Sequence, residues 1–387
     1  MASTTRIDCE DWRRTSPSPP LPRGERETRL RIGENIIEGP LSLSERLAER
    51  ILHQGPISFH DFMEAALYDL REGYYARGGR IDERGDFVTS PHVTPAFAAA
   101  IAHRFHGDTE GFEGDVDFVE VGAGEGRFLN DFAAALARED PSFAKRVRLT
   151  AVERAAGARE KLATLAVAPK ILESAGDLAE ASVSGWIFSN ELYDALAVAR
   201  VCGTTDGLCE LRVGIDSQGF TWVRCPAPEE YREYLAGFGV TLAPGQAGEI
   251  SLGAAPLHRR LARALMRGSL VAFDYGHRAS VLYHPLARRN GTIAVHTGGR
   301  RRLDPLTRPG EVDLTAHVNW DDLIRAGERE GLATRGVTRQ GRYLVEADLF
   351  EFVTTDAGKW RAYRIVDPEG MGDELSVLVQ TRGIEIG

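Results

Sequence analysis

The stretch Val119 to Phe128, VEVGAGEGRF, restricts what this chain can fold into more than any other. It follows the run DVDF at Asp115 to Phe118, so a short buried strand leads into a turn and then into a segment of helical character. In such a strand-to-helix turn Gly122 permits the tight reversal, and Gly124 and Gly126 let a ligand approach the backbone. The amides at the helix start carry partial positive charge, which suits a small polar cofactor. The pattern is ExGxGxG, beginning at Glu120. A dinucleotide fingerprint is GxGxxG, and here Arg127 occupies the slot of its third glycine, which leaves a nicotinamide dehydrogenase as a remote alternative.

The rest of the chain supports a parallel sheet with helices on both faces. Strands are expected at Asp117 to Val121, Val147 to Val152, Ile171-Leu172, Trp186 to Phe188 and Leu270 to Phe273. Helices are expected at Leu41 to Gln54, from a cap at Ser58 through Tyr68, at Arg127 to Ala137 and at Arg154 to Leu165. Residues 73 to 95, rich in glycine and aromatics, read as an ordered loop. Between 198 and 254 the rhythm breaks: Glu210 to Val213 and Phe220 to Val223 flank the turn Asp216-Ser217-Gln218-Gly219, which reads as an inserted antiparallel hairpin walling a substrate site. Residues 1–40 hold Pro17, Pro19, Pro20 and Pro22 among balanced charges and read as a mobile or lid-forming arm. Residues 41–114 read as a helical and loop region covering the site, and 115–387 as the core.

A net charge of -10 opposes attraction to nucleic acid or anionic lipid. No run reaches the roughly 20 apolar residues of a membrane span, and neither a secretory signal nor a transit peptide is legible. Cys9, Cys202, Cys209 and Cys225 form no CxxC pair and no zinc spacing, so reduced thiols in a cytoplasmic protein are expected, without a metal.

A second cofactor signal is Glu153, which ends the strand in LTAVER; a carboxylate there can accept both hydroxyls of a ribose. Asp177, in the loop after the third strand, is a weaker candidate for an adenine edge. Asn190 and Glu191 follow the apolar run Trp186 to Phe188, at the carboxyl edge where open α/β sheets bind ligands. Tyr193 and Asp194 sit on the next turn.

Six segments in order, GPISFHDFMEAALYDLREGYY (55–75), GDFVTSPHVTPAF (85–97), VEVGAGEGRF (119–128), FSNELYDALAV (188–198), LVAFDYGH (270–277) and PGEVDLTAHVNW (309–320), resemble the MidA family of S-adenosylmethionine-dependent methyltransferases. The resemblance runs from about residue 45 to the C-terminus. It implies a Rossmann-like, seven-stranded methyltransferase sheet of class I, with N-terminal helices and an inserted antiparallel β segment. It places Gly122, Gly124 and Gly126 against the methionine part of S-adenosylmethionine, Glu153 at the ribose, and Asn190 and Glu191 at the transfer site. It also makes His296 and His317 catalytic candidates, because the family carries histidines at these motifs. The mitochondrial member of the family is a protein arginine methyltransferase acting in complex I assembly.

Methyl transfer from a sulfonium is an in-line displacement that needs alignment and removal of an acceptor proton, and no metal. Glu191 and His92 are catalytic candidates, and Tyr74 and Tyr75 are candidates to line the acceptor pocket. Departures from the family pattern bear on the acceptor. Thr89-Ser90-Pro91-His92 stands where the family has TSPE, and Ala123, Ala197 and Ser376 replace two prolines and a lysine. An imidazole at His92 suits deprotonation of a neutral acceptor, whereas a guanidinium is best oriented by carboxylates. The sequence therefore places a small, neutral, (hetero)aromatic metabolite methylated on N or C ahead of a protein arginine. A silent cofactor-binding assembly factor is the alternative from another class, and a homodimer is possible.

Overall fold

The computed structural model describes residues 7–15, 31–32, 35–36, 40–78, 89–296 and 304–384. The central sheet contains β1 (Val116–Val121), β2 (Val147–Val152), β3 (Lys170–Leu172) and β4 (Val183–Asn190). Four strands of a second sheet follow in the chain: β5 (Ala199–Thr204), β6 (Gly207–Asp216), β7 (Gly219–Pro226) and β8 (Ala247–Ile250). The chain then returns to the central sheet with β9 (Leu265–His277), β10 (Ala333–Arg339) and β11 (Leu375–Arg382). The central order is β10-β11-β9-β4-β1-β2-β3, with the two-residue strand Val318–Asn319 added beside the end of β9. From β3 to β9 neighbours are parallel, and β11 and β10 close the edge antiparallel. This is the expected Rossmann-like methyltransferase architecture. Chain order reverses between β1 and β4, so their carboxyl ends flank the switch point at which such sheets bind ligands.

Aromatic residues fill the core on one face. Phe97 and Phe105 from helix Ala96–Thr109 and Phe128 and Phe132 from helix Arg127–Glu139 meet Phe118, Trp186, Phe188 and Phe273 from the sheet. Phe118 stacks on Phe132 with centroids 3.9 Å apart, and Phe128 on Phe188 at 4.6 Å. Burying each such ring contributes about 1.5–3 kcal/mol. Helix Ala96–Thr109, which precedes the boundary expected at residue 114, shares this core.

Two strands are longer than the apolar runs suggest, and each takes in a glycine outside the expected run. A Cβ on Gly185 in β4 would stand 2.1 Å from the Asp117 carbonyl, and one on Gly268 in β9 would stand 1.9 Å from the Gly185 carbonyl. The three strands approach so closely there that no side chain fits.

The insertion is also larger than a hairpin. The β6–β7 hairpin turns at Ser217-Gln218, and β5 and β8 extend it on one side. On the other side Ile7–Asp8, from the arm expected to be mobile, pairs parallel with β7. Trp12 anchors that segment: it is 4% exposed and its indole donates to the Ile215 carbonyl at 3.0 Å. Helices Leu43–Gln54, capped by a Ser42–Glu45 box, and Phe59–Tyr68, capped by Ser58, share a core with this sheet. Backbone bonds between Ile57 and Val213 tie the two together. No helix among the described residues is long and apolar enough to cross a membrane.

Candidate functional site

The glycine turn lies at the carboxyl end of β1. Gly122, Gly124 and Gly126 have φ of 76°, 53° and 81°, all left-handed. Their surroundings differ: a Cβ on Gly126 would strike Leu162 and Leu165, whereas one on Gly124 would meet nothing within 4 Å. Gly126 is glycine for packing, and Gly124 borders open space. Glu153, at the end of β2, holds the turn: its carboxylate accepts from the Gly124 amide at 2.8 Å and from the Ala155 amide at 2.7 Å. Each oxygen retains a lone pair for a hydroxyl donor. Glu120 is 4% exposed, and its Oε2 has no hydrogen-bond partner among the described residues. Burial, and then the charge of Glu153, push its carboxyl well above the usual range. An orphaned buried carboxyl beside an open glycine cradle fits a polar ligand rich in donors, as S-adenosylmethionine is. Asp177 belongs to a capping box, in which one of its oxygens accepts from the Ser174 amide at 2.9 Å.

The second half of the site surrounds the end of β4. Glu191 has a left-handed φ of 51°. Its amide donates to the Phe273 carbonyl at 2.8 Å, and its Oε1 accepts from Asn190 Nδ2 at 3.0 Å. The carboxyl also receives the Ser90 amide, which brings the Thr89-to-His92 segment to the site. Burial first, then the charge of Asp194, push Glu191 up to about 8 despite those hydrogen bonds. Asn190 Oδ1 is buried without a partner among the described residues.

Behind Glu191 lies a carboxyl cluster. Asp274, fully buried at the end of β9, accepts from the amides of Leu192 at 3.1 Å, Tyr193 at 2.7 Å and Tyr275 at 2.9 Å. Burial, with the charge of Glu191 adding to it, pushes Asp274 up to about 7. Asp194 hydrogen-bonds the Asp274 carboxyl and is pushed well above the usual range by burial and then by Asp274 and Asp313. Two carboxyls in hydrogen-bond contact share a proton, because both cannot ionise at that distance. No lysine or arginine among the described residues forms an ion pair with Glu191, Asp194 or Asp274. Tyr75 donates to Asp313 Oδ1 at 3.2 Å, and its ring stacks on Tyr68 and meets Tyr74 edge-on, each with centroids 5.3 Å apart. Arg154, paired with Glu64, lies 4.3 Å over the Tyr68 ring, whose hydroxyl donates to the Ala195 carbonyl at 3.0 Å.

The histidines divide. His296 is the ladder partner of Asp313, and its Nε2 lies 3.1 Å from Thr315 Oγ1. His92 Nδ1 lies 2.7 Å from Thr89 Oγ1, which ties the ring to its own turn. His317 stands by Tyr275 and His277, with centroids 6.3 and 5.2 Å away. Burial, then His277 and Arg288, push it down to about 3, so it stays neutral. Tyr193 requires a correction as an acceptor-binding residue. It is 2% exposed, with its hydroxyl 2.8 Å from His258 Nδ1, and His258 Nε2 lies 2.7 Å from Gln380 Oε1, so it serves a buried network.

Sequence reasoning did not single out Asp274, Asp313, Tyr68 or Tyr275. Asp274 and Tyr275 lie in LVAFDYGH and Asp313 in PGEVDLTAHVNW, so the signal was an aspartate within or beside an apolar run at a strand end.

Comparison with known proteins follows the same lines. A family model described as "Putative S-adenosyl-L-methionine-dependent methyltransferase" matches residues 98–338. The chain is 26% identical over 336 residues to the Bos taurus "Protein arginine methyltransferase NDUFAF7, mitochondrial", covering 77% of this chain and 71% of that protein. It is 25% identical over 354 residues to the Homo sapiens protein of the same name, covering 81% and 75%. Among solved structures, it is similar to a COG1565 superfamily member from Burkholderia thailandensis bound to S-adenosyl-homocysteine. The TM-score there is 0.79 at 28% identity, over 89% of this chain and 93% of the other.

Proposed function

The chain belongs to this family of S-adenosyl-L-methionine-dependent methyltransferases, and on that premise we propose that it methylates a guanidinium nitrogen of a protein arginine. The observation that carries the acceptor is the carboxyl set Glu191, Asp194 and Asp274, which forms no ion pair with a lysine or arginine among the described residues. A site that keeps several carboxyls out of water, sharing protons with one another, is complementary to an incoming planar cation. The name of the mitochondrial relatives supports the same acceptor.

When bound, S-adenosylmethionine supplies an electrophilic methyl group on a sulfonium. Glu120, the Gly124 backbone and Glu153 would hold it at the end of β1. Glu191 and Asn190, fixed to the end of β9 through the Phe273 carbonyl, would orient the guanidinium. Once a guanidinium has displaced its proton, the Glu191 carboxylate would pair with that cation and be positioned to take the proton that the nitrogen loses on methylation. Tyr75, stacked on Tyr68 and bonded to Asp313, would offer its ring to a planar cation. This reading puts a protein arginine ahead of the small acceptor expected from His92, on the strength of the carboxyls gathered at and behind Glu191. A small neutral heteroaromatic acceptor stands as the second reading, carried by His92 on the same turn as Ser90.

The test is incubation with methyl-labelled S-adenosylmethionine and an extract of the native host, followed by separation of macromolecules from small molecules. Label recovered as methylarginine after protein hydrolysis is the expected result. Label confined to a small molecule would replace the arginine acceptor with the second reading.

A further inference from the structure

All four cysteines lie in or beside the insertion sheet, and all four are thiols. Cys202 and Cys209 are ladder partners across β5 and β6, and both are buried. Cys9 and Cys225 are placed differently. Ile7 pairs with Val223 and Asp8 with Arg224 in a parallel register, so the next residue of each segment is a cysteine. Cys9 opens helix Cys9–Thr15 directly after the paired Asp8, and Cys225 follows Arg224 within β7, which sets the two cysteines side by side where the pairing ends. The two thiols are in hydrogen-bond contact, and burial, then that contact, push the Cys225 thiol up to about 12. Cys225 is 6% exposed, whereas Cys9 is half-buried, so a small oxidant reaches Cys9 first.

We propose that Cys9 and Cys225 are a reversible dithiol–disulfide pair, oxidised by a peroxide, that staples the N-terminal segment to the insertion sheet. Peroxide oxidises the Cys9 sulfur to a sulfenic acid and releases one water. The Cys225 sulfur then displaces the hydroxyl of that sulfenic acid, the S–S bond forms and a second water leaves. Two thiols lose two protons and two electrons, and one peroxide takes them up to become two waters. A dithiol reductant reverses the reaction.

The staple would act on more than a chain end. The segment it fixes carries Trp12, buried against β6, and β6 is bonded through Val213 to Ile57 at the start of helix Phe59–Tyr68. That helix presents Tyr68 to the acceptor side of the site. Oxidation would therefore stiffen one wall of the acceptor pocket without touching the glycine turn.

The experiment treats the full chain with hydrogen peroxide, blocks remaining thiols with an alkylating reagent and maps unreduced peptides by mass spectrometry. The expected result is a linked peptide containing Cys9 and Cys225, loss of two thiols per chain, and a rise in Tm that dithiothreitol reverses. Cys9→Ser, at the half-buried position, should abolish the link and the Tm shift, while the untreated variant melts as the untreated wild type does. Cys225→Ser should leave a sulfenic or higher acid at Cys9 with no Tm rise. Oxidation of wild-type Cys9 with no link to Cys225, a link that joins two chains, or a Tm rise that survives Cys9→Ser would each overturn the proposal.

Discussion

The two ends of the site are built in different ways. The cofactor end is local: Glu120, Gly122, Gly124 and Gly126 come from one strand and its turn, and Glu153 from the adjacent strand end. The acceptor end is assembled from five separated segments, which contribute Tyr75, Ser90, Glu191 with Asp194, Asp274 and Asp313. At the first end selectivity resides in backbone shape and two carboxyls at strand ends. At the second it resides in buried carboxyls whose ionisation depends on one another. A change at the first should alter cofactor affinity at any pH, whereas a change at the second should alter turnover and its dependence on pH.

Glu191→Gln gives the largest separation of the two. It should lower kcat about 10²–10⁴-fold, the range for loss of a positioned general base. Calorimetric binding of S-adenosylhomocysteine should be unchanged, and an equal loss of affinity would mean that the two ends are not separable. Gly124→Val should do the reverse. A β-branched residue at a φ of 53° carries about 1–3 kcal/mol of strain and fills the open space beside the turn, so the cofactor should bind about 10–100-fold more weakly. The same titration checks it.

The carboxyl cluster also predicts how stability depends on pH. Asp274 and Glu191 titrate at about 7 and about 8 in the folded chain, above their ordinary values near about 4 when unfolded. Folding therefore favours their protonated forms. That contribution is complete below about pH 4 and is lost as pH rises through 7 to 8. Asp274→Asn should flatten the fall in Tm across that window, and it should cost about 1–3 kcal/mol for disturbing the amides of Leu192, Tyr193 and Tyr275. Thermal melts in a pH series measure both. The smallest effect is expected from Tyr193→Phe, which removes the hydroxyl facing His258 and should cost about 1 kcal/mol with activity retained. A large loss of turnover there would return Tyr193 to the acceptor site.

The same contrast governs what could be read from sequence. The glycine turn was legible because its residues are contiguous and each glycine answers a local backbone demand. Glu191 was legible from its place after an apolar run. Asp274 and Asp313 were not, since an aspartate at a strand end gains meaning only when the topology brings it beside another carboxyl. Gly185 and Gly268 hid the true lengths of β4 and β9, because a glycine forced by a neighbouring backbone looks like a breaker. Ile7–Asp8 was hidden in an arm whose charges and prolines argue against structure; its pairing depends on the edge of β7, far along the chain. Tyr193 misled by proximity: adjacent to the site in sequence, it turns into the core toward His258 and Gln380.

A guanidinium acceptor requires that the acceptor end be protonated at rest and ionise when a cation arrives. The direct measurement is calorimetric titration of the S-adenosylhomocysteine-loaded protein with an arginine-containing peptide at pH 7, in two buffers of different ionisation enthalpy. With Glu191 at about 8, binding of a guanidinium should release about one proton per site, and Glu191→Gln should abolish the release. Binding with no proton exchange, or binding of a neutral heteroaromatic compound in place of the peptide, would contradict a guanidinium acceptor at this site.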